Sequence, residues 1–223
     1  MIDVRTADRR FQGGDPEAGV TSRHAFSFGP HYDPDNVRFG PIVACNEERL
    51  APGAGFDEHP HRDTEILTWV VEGELTHRDT LTGREQTVRP GDLARLSAGA
   101  GVRHVERNAG DRPLRFVQTW LLPREAGGEP SYEVVAGPAD GTTHPLEAAG
   151  AVLHLWRLPP DAAVARRALP AAPLVYVHVV HGTVELAGHE LRAGDAARVA
   201  DEAAAELAVS AGAECLVWAL EAE

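Results

Sequence analysis

Apolar residues occur in runs of about five to eight, rich in Val, Leu, Ile, Trp and Thr, and Gly, Pro and Asp separate one run from the next. FGPIVACNE, TEILTWVVEGELTHRD, REQTVRPGDLARLS and PLRFVQTWLLP are examples. Short strands at regular spacing with turn signals between them predict an all-β sandwich or barrel. Long amphipathic helical periodicity is scarce. Between Leu122 and Gly150 Pro, Gly and acidic residues concentrate, and only Tyr132 to Val135 reads as a strand. This stretch is the expected boundary. It divides the chain into an N-terminal domain over 1–125, a linker over 126–150 and a C-terminal domain over 151–223. The second domain has its own strand set: VLHLWRL, PLVYVHVVHGTVEL, HELRAGDAARV, AAELAVS and ECLVWAL.

The two halves share an internal repeat. WVVEGELTHRD leads to VRPGDLARLSAG in the first, and HVVHGTVELAG leads to LRAGDAARVADE in the second. Each copy has an apolar strand, a Gly turn, a polar strand and a Gly-Asp turn before another strand. Two copies of one supersecondary plan predict two similar barrels in tandem.

At 223 residues the chain is long enough for two small β domains, and 43% hydrophobic with 25% charged residues is the composition of a packed globular protein. There are 34 acidic and 21 basic residues, a formal charge of −13, and no Lys. A field of that sign repels phosphate backbones and anionic lipid, which argues against direct nucleic-acid and membrane binding. The two cysteines, Cys45 and Cys215, sit in apolar segments and read as buried thiols. MIDVRTADRRFQGG lacks an apolar targeting segment and no run approaches a membrane span, so a cytoplasmic protein is expected.

The strongest chemical signal is GAGFDEHPH, Gly53 to His61. On a strand, residues i and i+2 face one side, so His59 and His61 project together. His104 and Glu106 in VRHVE repeat that spacing 45 residues later. If the two strands are neighbours, the four donors converge, and such a set suits a first-row divalent metal with positions left open. Gly53 followed by His59-x-His61, then Pro90-Gly91-Asp92, then His104 with Asn108, matches the paired signatures of the cupins.

The segments APGAGFDEHPHRDTEILTWVVEGELTHRDT, VRPGDLARLSAGAGVRHVERNAG and RFVQTWLLP, with HAFSFGPHYDP upstream, resemble the pirin family, and most of all the bacterial pirin-like proteins associated with quercetin 2,3-dioxygenase activity. The resemblance is dense over residues 20 to 123 and holds only in outline beyond them. It implies two tandem cupin barrels of jelly-roll type and one metal ion held by His59, His61, His104 and Glu106. Iron as Fe(II) is the metal it implies, and the donor set equally accepts nickel, copper, cobalt, manganese or zinc. It also implies dioxygen-dependent opening of a flavonol-type, hydroxy-ketone ring with release of carbon monoxide, with Glu106 as the catalytic base. The alternative it carries is a non-enzymatic metal or redox sensor that binds a protein partner.

Glu65, four residues after His61, stands where many other cupins place a ligand, and strand parity points it inward as well. A pocket role beside Arg62 or Arg103 is the expectation for it. Trp69 and Leu67 share His61's parity and are candidates for the cavity wall. His24 and His31 are candidates for its mouth. His77 and His189 near hairpin ends, His144 in the linker and His154 in an apolar strand read as surface or core residues. In the second barrel His178 and His181 fall on opposite faces, and only Asp201-Glu202 follows them, so that barrel is expected to be degenerate and without metal.

Overall fold

The computed structural model describes residues 1–201 and 205–222, and Glu202 lies outside them. Among the described residues the regular structure is strand, with three short 3-10 turns, and every strand pairing is antiparallel. Among the described residues no helix is long and apolar enough to cross a membrane.

Two compact units form. The first comprises Phe11–Arg38 and Ile42–Pro138. One of its sheets has seven strands, in the order Ser131–Val135, Leu93–Ser97, Glu65–Glu72, Leu114–Leu121, Ile42–Leu50, Val20–His24, Phe11–Asp15. The other has four, in the order Gly55–His61, Val102–Arg107, Leu75–Asp79, Glu85–Val88. Their facing sides enclose Val70, Leu75, Val88, Leu114 and Phe116, and a smaller cluster of Ile66, Leu96, Ala98 and Val102.

The second unit comprises Met1–Arg10, Phe39–Pro41 and Ala139–Glu223. A six-stranded sheet runs Ile2–Arg5, Ala196–Ala200, Leu174–His181, Glu214–Leu220, Ala151–Arg157, Thr143–Leu146, and a four-stranded sheet runs Ala165–Ala168, Glu206–Val209, Thr183–Leu186, His189–Arg192. Val175, Val177, Val179, Val184, Leu207 and Val217 fill its core. The N-terminal strand belongs here because Ile2–Arg5 pairs in register with Ala196–Val199, a partner that chain order hides. Residues 126–150 supply one strand to each unit, Ser131–Val135 to the first and Thr143–Leu146 to the second. Cys45 and Cys215 are buried free thiols.

The internal repeat holds atom by atom at its turns. Asp92 accepts the Arg89 N–H on Oδ2 at 2.9 Å, and Asp195 accepts the Arg192 N–H at 2.8 Å. Gly91 donates to the Val70 carbonyl and Gly194 to that of Val179, both at 2.8 Å. The other carboxylate oxygen of each Asp takes a distant backbone N–H, from Gly137 at 2.8 Å and from Ala7 at 2.7 Å. Each acid therefore closes its own turn and pins a remote segment of its own unit.

Gly73 and Gly182 occupy the matching hairpin turn, each at φ 72. A Cβ would lie 2.6 Å from the Pro113 carbonyl oxygen at Gly73 and 2.7 Å from the Ala213 Cα at Gly182. Left-handed backbone costs a non-Gly residue about 1–3 kcal/mol before any overlap. Gly73→Ala and Gly182→Ala should each lose at least that much. Hydrogen exchange should place the loss of protection in Glu65–Glu72 for the first and Leu174–His181 for the second; equal protection in all three proteins would contradict the assignment.

Candidate metal centre

The strands Gly55–His61 and Val102–Arg107 are hydrogen-bonded neighbours in which His59 pairs with His104 and His61 with Val102. That register puts the imidazoles of His59, His61 and His104 side by side, with donor nitrogens all within 4.8 Å of one another. The ladder is irregular between His104 and Glu106, where Glu106 pairs with Phe56 rather than Asp57. The carbonyl of Asp57, inside that irregularity, accepts the Nδ1–H of His59 at 2.7 Å. A carbonyl can only accept, so His59 carries its proton on Nδ1 and presents a bare Nε2.

That Nε2 lies 2.9 Å from Nε2 of His104, and Nε2 of His61 is buried with no hydrogen-bond partner. At metal–nitrogen distances of about 2.0–2.1 Å, two ligands of one ion stand roughly 3 Å apart. The His59 and His104 nitrogens thus have the spacing of two ligands of one ion, with the unpartnered Nε2 of His61 within 4.8 Å of them. Burial, with His59 adding to it, lowers the pKa of His61 to about 4. His104 is held far below the ordinary value by burial first and then by His59, His77 and His61. Both rings therefore stay neutral at ordinary pH, as ligation requires.

Glu106 is 4% exposed, and its Oε2 lies 3.9 Å from His104 Nε2. It does not fall within the tight group of the three histidines; its own cluster is with His104 and His77. Gln118 Nε2 donates to both its oxygens, at 3.0 and 3.2 Å. Trp120 Nε1 donates to Gln118 Oε1 at 2.8 Å, which fixes that amide with its NH2 toward the carboxylate. Burial raises the Glu106 pKa to about 7, with the Gln118 hydrogen bond acting against the rise.

Above the donors opens a cavity of about 830 Å³, lined by His24, Phe28, His31, Phe56, His59, Glu106, Gln118 and Trp120 among others. His24 stacks on Phe28 at 4.7 Å and His31 on Phe11 at 5.1 Å, so both expected mouth histidines stand at the cavity with aromatic support. Glu48 also lines it, 5% exposed and hydrogen-bonded by Ser22. Burial raises its pKa to about 8, with Glu106 adding to the rise and Ser22 opposing it.

A profile of the family described as Pirin matches residues 4–121, more than half of the chain. The chain belongs to the pirin family. A second profile, described as the quercetinase C-terminal cupin domain, matches residues 148–220 of this pirin. A Mycobacterium tuberculosis protein named "Putative quercetin 2,3-dioxygenase" is 39% identical to it over 92% of this chain and 89% of its own length. An Escherichia coli protein named quercetin 2,3-dioxygenase is 32% identical over 99% of both chains. The crystal structure of the Escherichia coli bacterial pirin YhhW in complex with nickel(II) superposes with a TM-score of 0.89 at 30% identity, covering all of both chains. Two tandem cupin barrels are thus the fold of this pirin.

Several neighbours of the donors differ from expectation. Glu65 faces away from them: it accepts from Ser97 Oγ at 2.6 Å, while Arg62 donates to the Ala100 carbonyl and Arg103 to Glu58. Leu67 and Trp69 share that outward face, and Ile66, Thr68 and Val70 face the interior. The register shows it, since Thr68 pairs with Gln118, and Gln118 bonds both Thr68 and Glu106. Parity does not carry over from His61 because Asp63, in a left-handed turn at φ 50, lies between the two strands, which belong to different sheets.

His77 takes the core role of the two expected for it, but lies in mid-strand rather than at a hairpin end, 1% exposed, with its Nδ1 3.4 Å from Nδ1 of His104. The alternation Leu75, His77, Asp79 within LTHRD carried that signal. His144 is likewise buried, in a strand, whereas His154 is half-buried and His189 exposed. In the second unit His178 is fully buried with Nδ1 2.9 Å from the Arg10 guanidinium, and His181 is exposed. Among the described residues the clusters of three possible ligands all lie in the first unit.

Glu48 has a pH signature of its own. Its pKa of about 8 in the folded chain exceeds the ordinary 4.5, so its contribution to stability is complete below about pH 4.5 and is lost as pH rises to about 8. Glu48→Gln, which keeps the shape of the neutral acid, should flatten that fall. Urea midpoints of metal-free wild type and variant, taken from about pH 5 to about pH 8.5, should converge at the acid end and favour the variant at the alkaline end.

Proposed function

We propose that this pirin is a metal-dependent dioxygenase that opens a flavonol-type ring with dioxygen and releases carbon monoxide. The ion would be held by His59, His61, His104 and Glu106. The observation that carries the reading is the convergence of the three imidazole nitrogens near Glu106, with His59 and Glu106 themselves lining a cavity rich in aromatic rings. When bound, a redox-active divalent ion would draw the hydroxy-ketone edge of the substrate and dioxygen into one coordination sphere.

The chain's own residues supply the rest. Phe28, Phe56 and Trp120 offer flat apolar contact to a planar ligand. Glu106, lining the cavity beside His104, is the carboxylate placed to accept the proton of the substrate's 3-hydroxyl. Gln118, locked by Trp120, steadies the carboxylate that takes that proton. Glu48 keeps its proton at neutral pH and can donate a hydrogen bond from a second wall of the cavity. The names of the mycobacterial and Escherichia coli relatives support the substrate class.

Oxygen uptake and carbon monoxide release with a panel of flavonols and catechols test the reading. Turnover with flavonols is expected; binding without turnover, accompanied by a change of shape with oxidation state, would overturn it in favour of a sensor with a protein partner. Elemental analysis should find about one ion per chain. Glu106→Ala should abolish turnover and weaken metal binding by more than about tenfold, whereas Glu65→Ala should leave the metal in place.

Because the ligands join strands that no disulfide links, the ion should also brace the first unit. At free metal ~100 times Kd the linkage is worth about 2.7 kcal/mol. For a chain of this size each kcal/mol moves the midpoint by roughly 2–4 °C, so chelation should lower the melting temperature by about 5–11 °C. Loaded and chelated protein melting together would overturn the bracing role.

A further inference from the structure

The cavity has a polar wall on the seven-stranded sheet, whereas the imidazoles that converge beside it stand on the four-stranded sheet. Asn46 and Glu48, two residues apart on Ile42–Leu50, both line the cavity. Asn46 belongs to a row of paired residues that crosses the sheet through Thr68, Gln118, Asn46 and His24. Glu48 lies in the next row, paired with Phe116 on one side and Ser22 on the other. Gln118 bonds Glu106, and Asn46 stands one strand further from it, a spacing of about 4.8 Å.

The two side chains are satisfied to different degrees. Ser22 Oγ donates to Oε2 of Glu48 and is its one side-chain partner among the described residues. Asn46 is 2% exposed, and its Oδ1 is buried with no hydrogen-bond partner. Gln118 beside it supplies none, because its NH2 is committed to Glu106 and Thr68 and its Oε1 to the Trp120 N–H. An amide buried without hydrogen bonds destabilises the fold that carries it, so its presence on a cavity wall calls for a reason outside the fold.

One end of an Asn amide accepts and the other donates, and rotation about the broad χ2 well presents either end to a ligand. A carboxyl group held by one oxygen has the other to offer. The ligand group that suits both residues is a hydroxyl, which donates and accepts. We infer that Asn46 and Glu48 form a hydrogen-bonding subsite that selects, among flat ligands of this cavity, those carrying a hydroxyl on the end remote from the imidazoles. The inference rests on the flavonol reading for the kind of ligand, and it narrows that reading to flavonols whose second aromatic ring is hydroxylated.

Binding to the Ni(II)-loaded full chain, measured without dioxygen so that turnover does not enter, tests the subsite. The probes are a flavonol whose second ring is a phenol and the same flavonol with a plain phenyl there; a lone phenolic hydroxyl cannot chelate the ion. Wild type should bind the phenol about tenfold more tightly. Asn46→Leu should bring the two affinities together, whereas Glu48→Gln, which keeps a donor and an acceptor, should retain most of the preference. Since the Asn46 amide has no bond in the fold to lose, Asn46→Leu should melt no lower than wild type. A lower midpoint would mean that Asn46 serves the fold, and would overturn the inference. Equal affinity of wild type for the two flavonols, or an undiminished preference in Asn46→Leu, would overturn it while leaving the dioxygenase reading standing. Selective binding with no oxygen uptake once dioxygen is admitted would instead sink that reading and keep the subsite. Binding of neither flavonol would sink both.

Discussion

Burying imidazoles and carboxylates inside a β-barrel is costly unless each finds a partner, and the first unit is organised around meeting that cost. His104 and Glu106 are 1% and 4% exposed, and Glu48 and Asp79 are 5% and 3%. Each polar group at this centre is turned toward another: His59 to the Asp57 carbonyl, Glu106 to Gln118, His77 to Asp79, Glu48 to Ser22. The nitrogens that remain are the ones that converge. A bound cation would complete an arrangement whose outer hydrogen bonds already hold the rings in place, and this is the usual division of labour between the ligands of a metal and the groups behind them.

The backbone supplies the precision. Two i,i+2 pairs can meet only if their strands are adjacent and in the right register, and the pairing of His59 with His104 provides both. The irregularity beside Glu106 allows Phe56 to line the cavity along with His59, three residues away, and places the Asp57 carbonyl where His59 can use it. A regular strand would have sent Phe56 outward. The bulge thus shapes both the ligand field and the apolar wall.

The two units show how one plan can keep its frame and change its contents. Asp92 and Asp195 close equivalent turns, and Gly73 and Gly182 reverse equivalent hairpins. These features are backbone requirements, so they persist wherever the fold does. The strand carrying Thr68 in the first unit has as its counterpart the strand carrying His178 in the second, whose interior side presents Val175, Val177 and Val179. Its core cluster is apolar along that side, while His178 on the same strand is buried against the Arg10 guanidinium.

The sequence by itself determined the class of fold, the tandem repeat, the turns and the two histidine-bearing strands. All of these rest on local alternation, Gly and Asp at turns, or spacing along one strand, and such signals survive in one dimension. It also singled out His59, His61, His104 and Glu106, because i and i+2 share a face within any single strand. Tertiary structure decided what depends on which strand lies beside which. Parity restarts after the turn at Asp63, so Glu65, Leu67 and Trp69 face away while Thr68 faces in. His77 reaches His104 because its strand pairs with Val102–Arg107 on the edge opposite Gly55–His61, and Glu48 reaches the cavity because its strand pairs with that of Gln118. Met1–Arg10 joins the second unit through a pairing 190 or more residues distant in sequence. Contacts across sheets carry no local periodicity, since a hydrogen-bonded neighbour can come from anywhere in the chain, and this is why the groups that tune the site were not legible before the strands were placed.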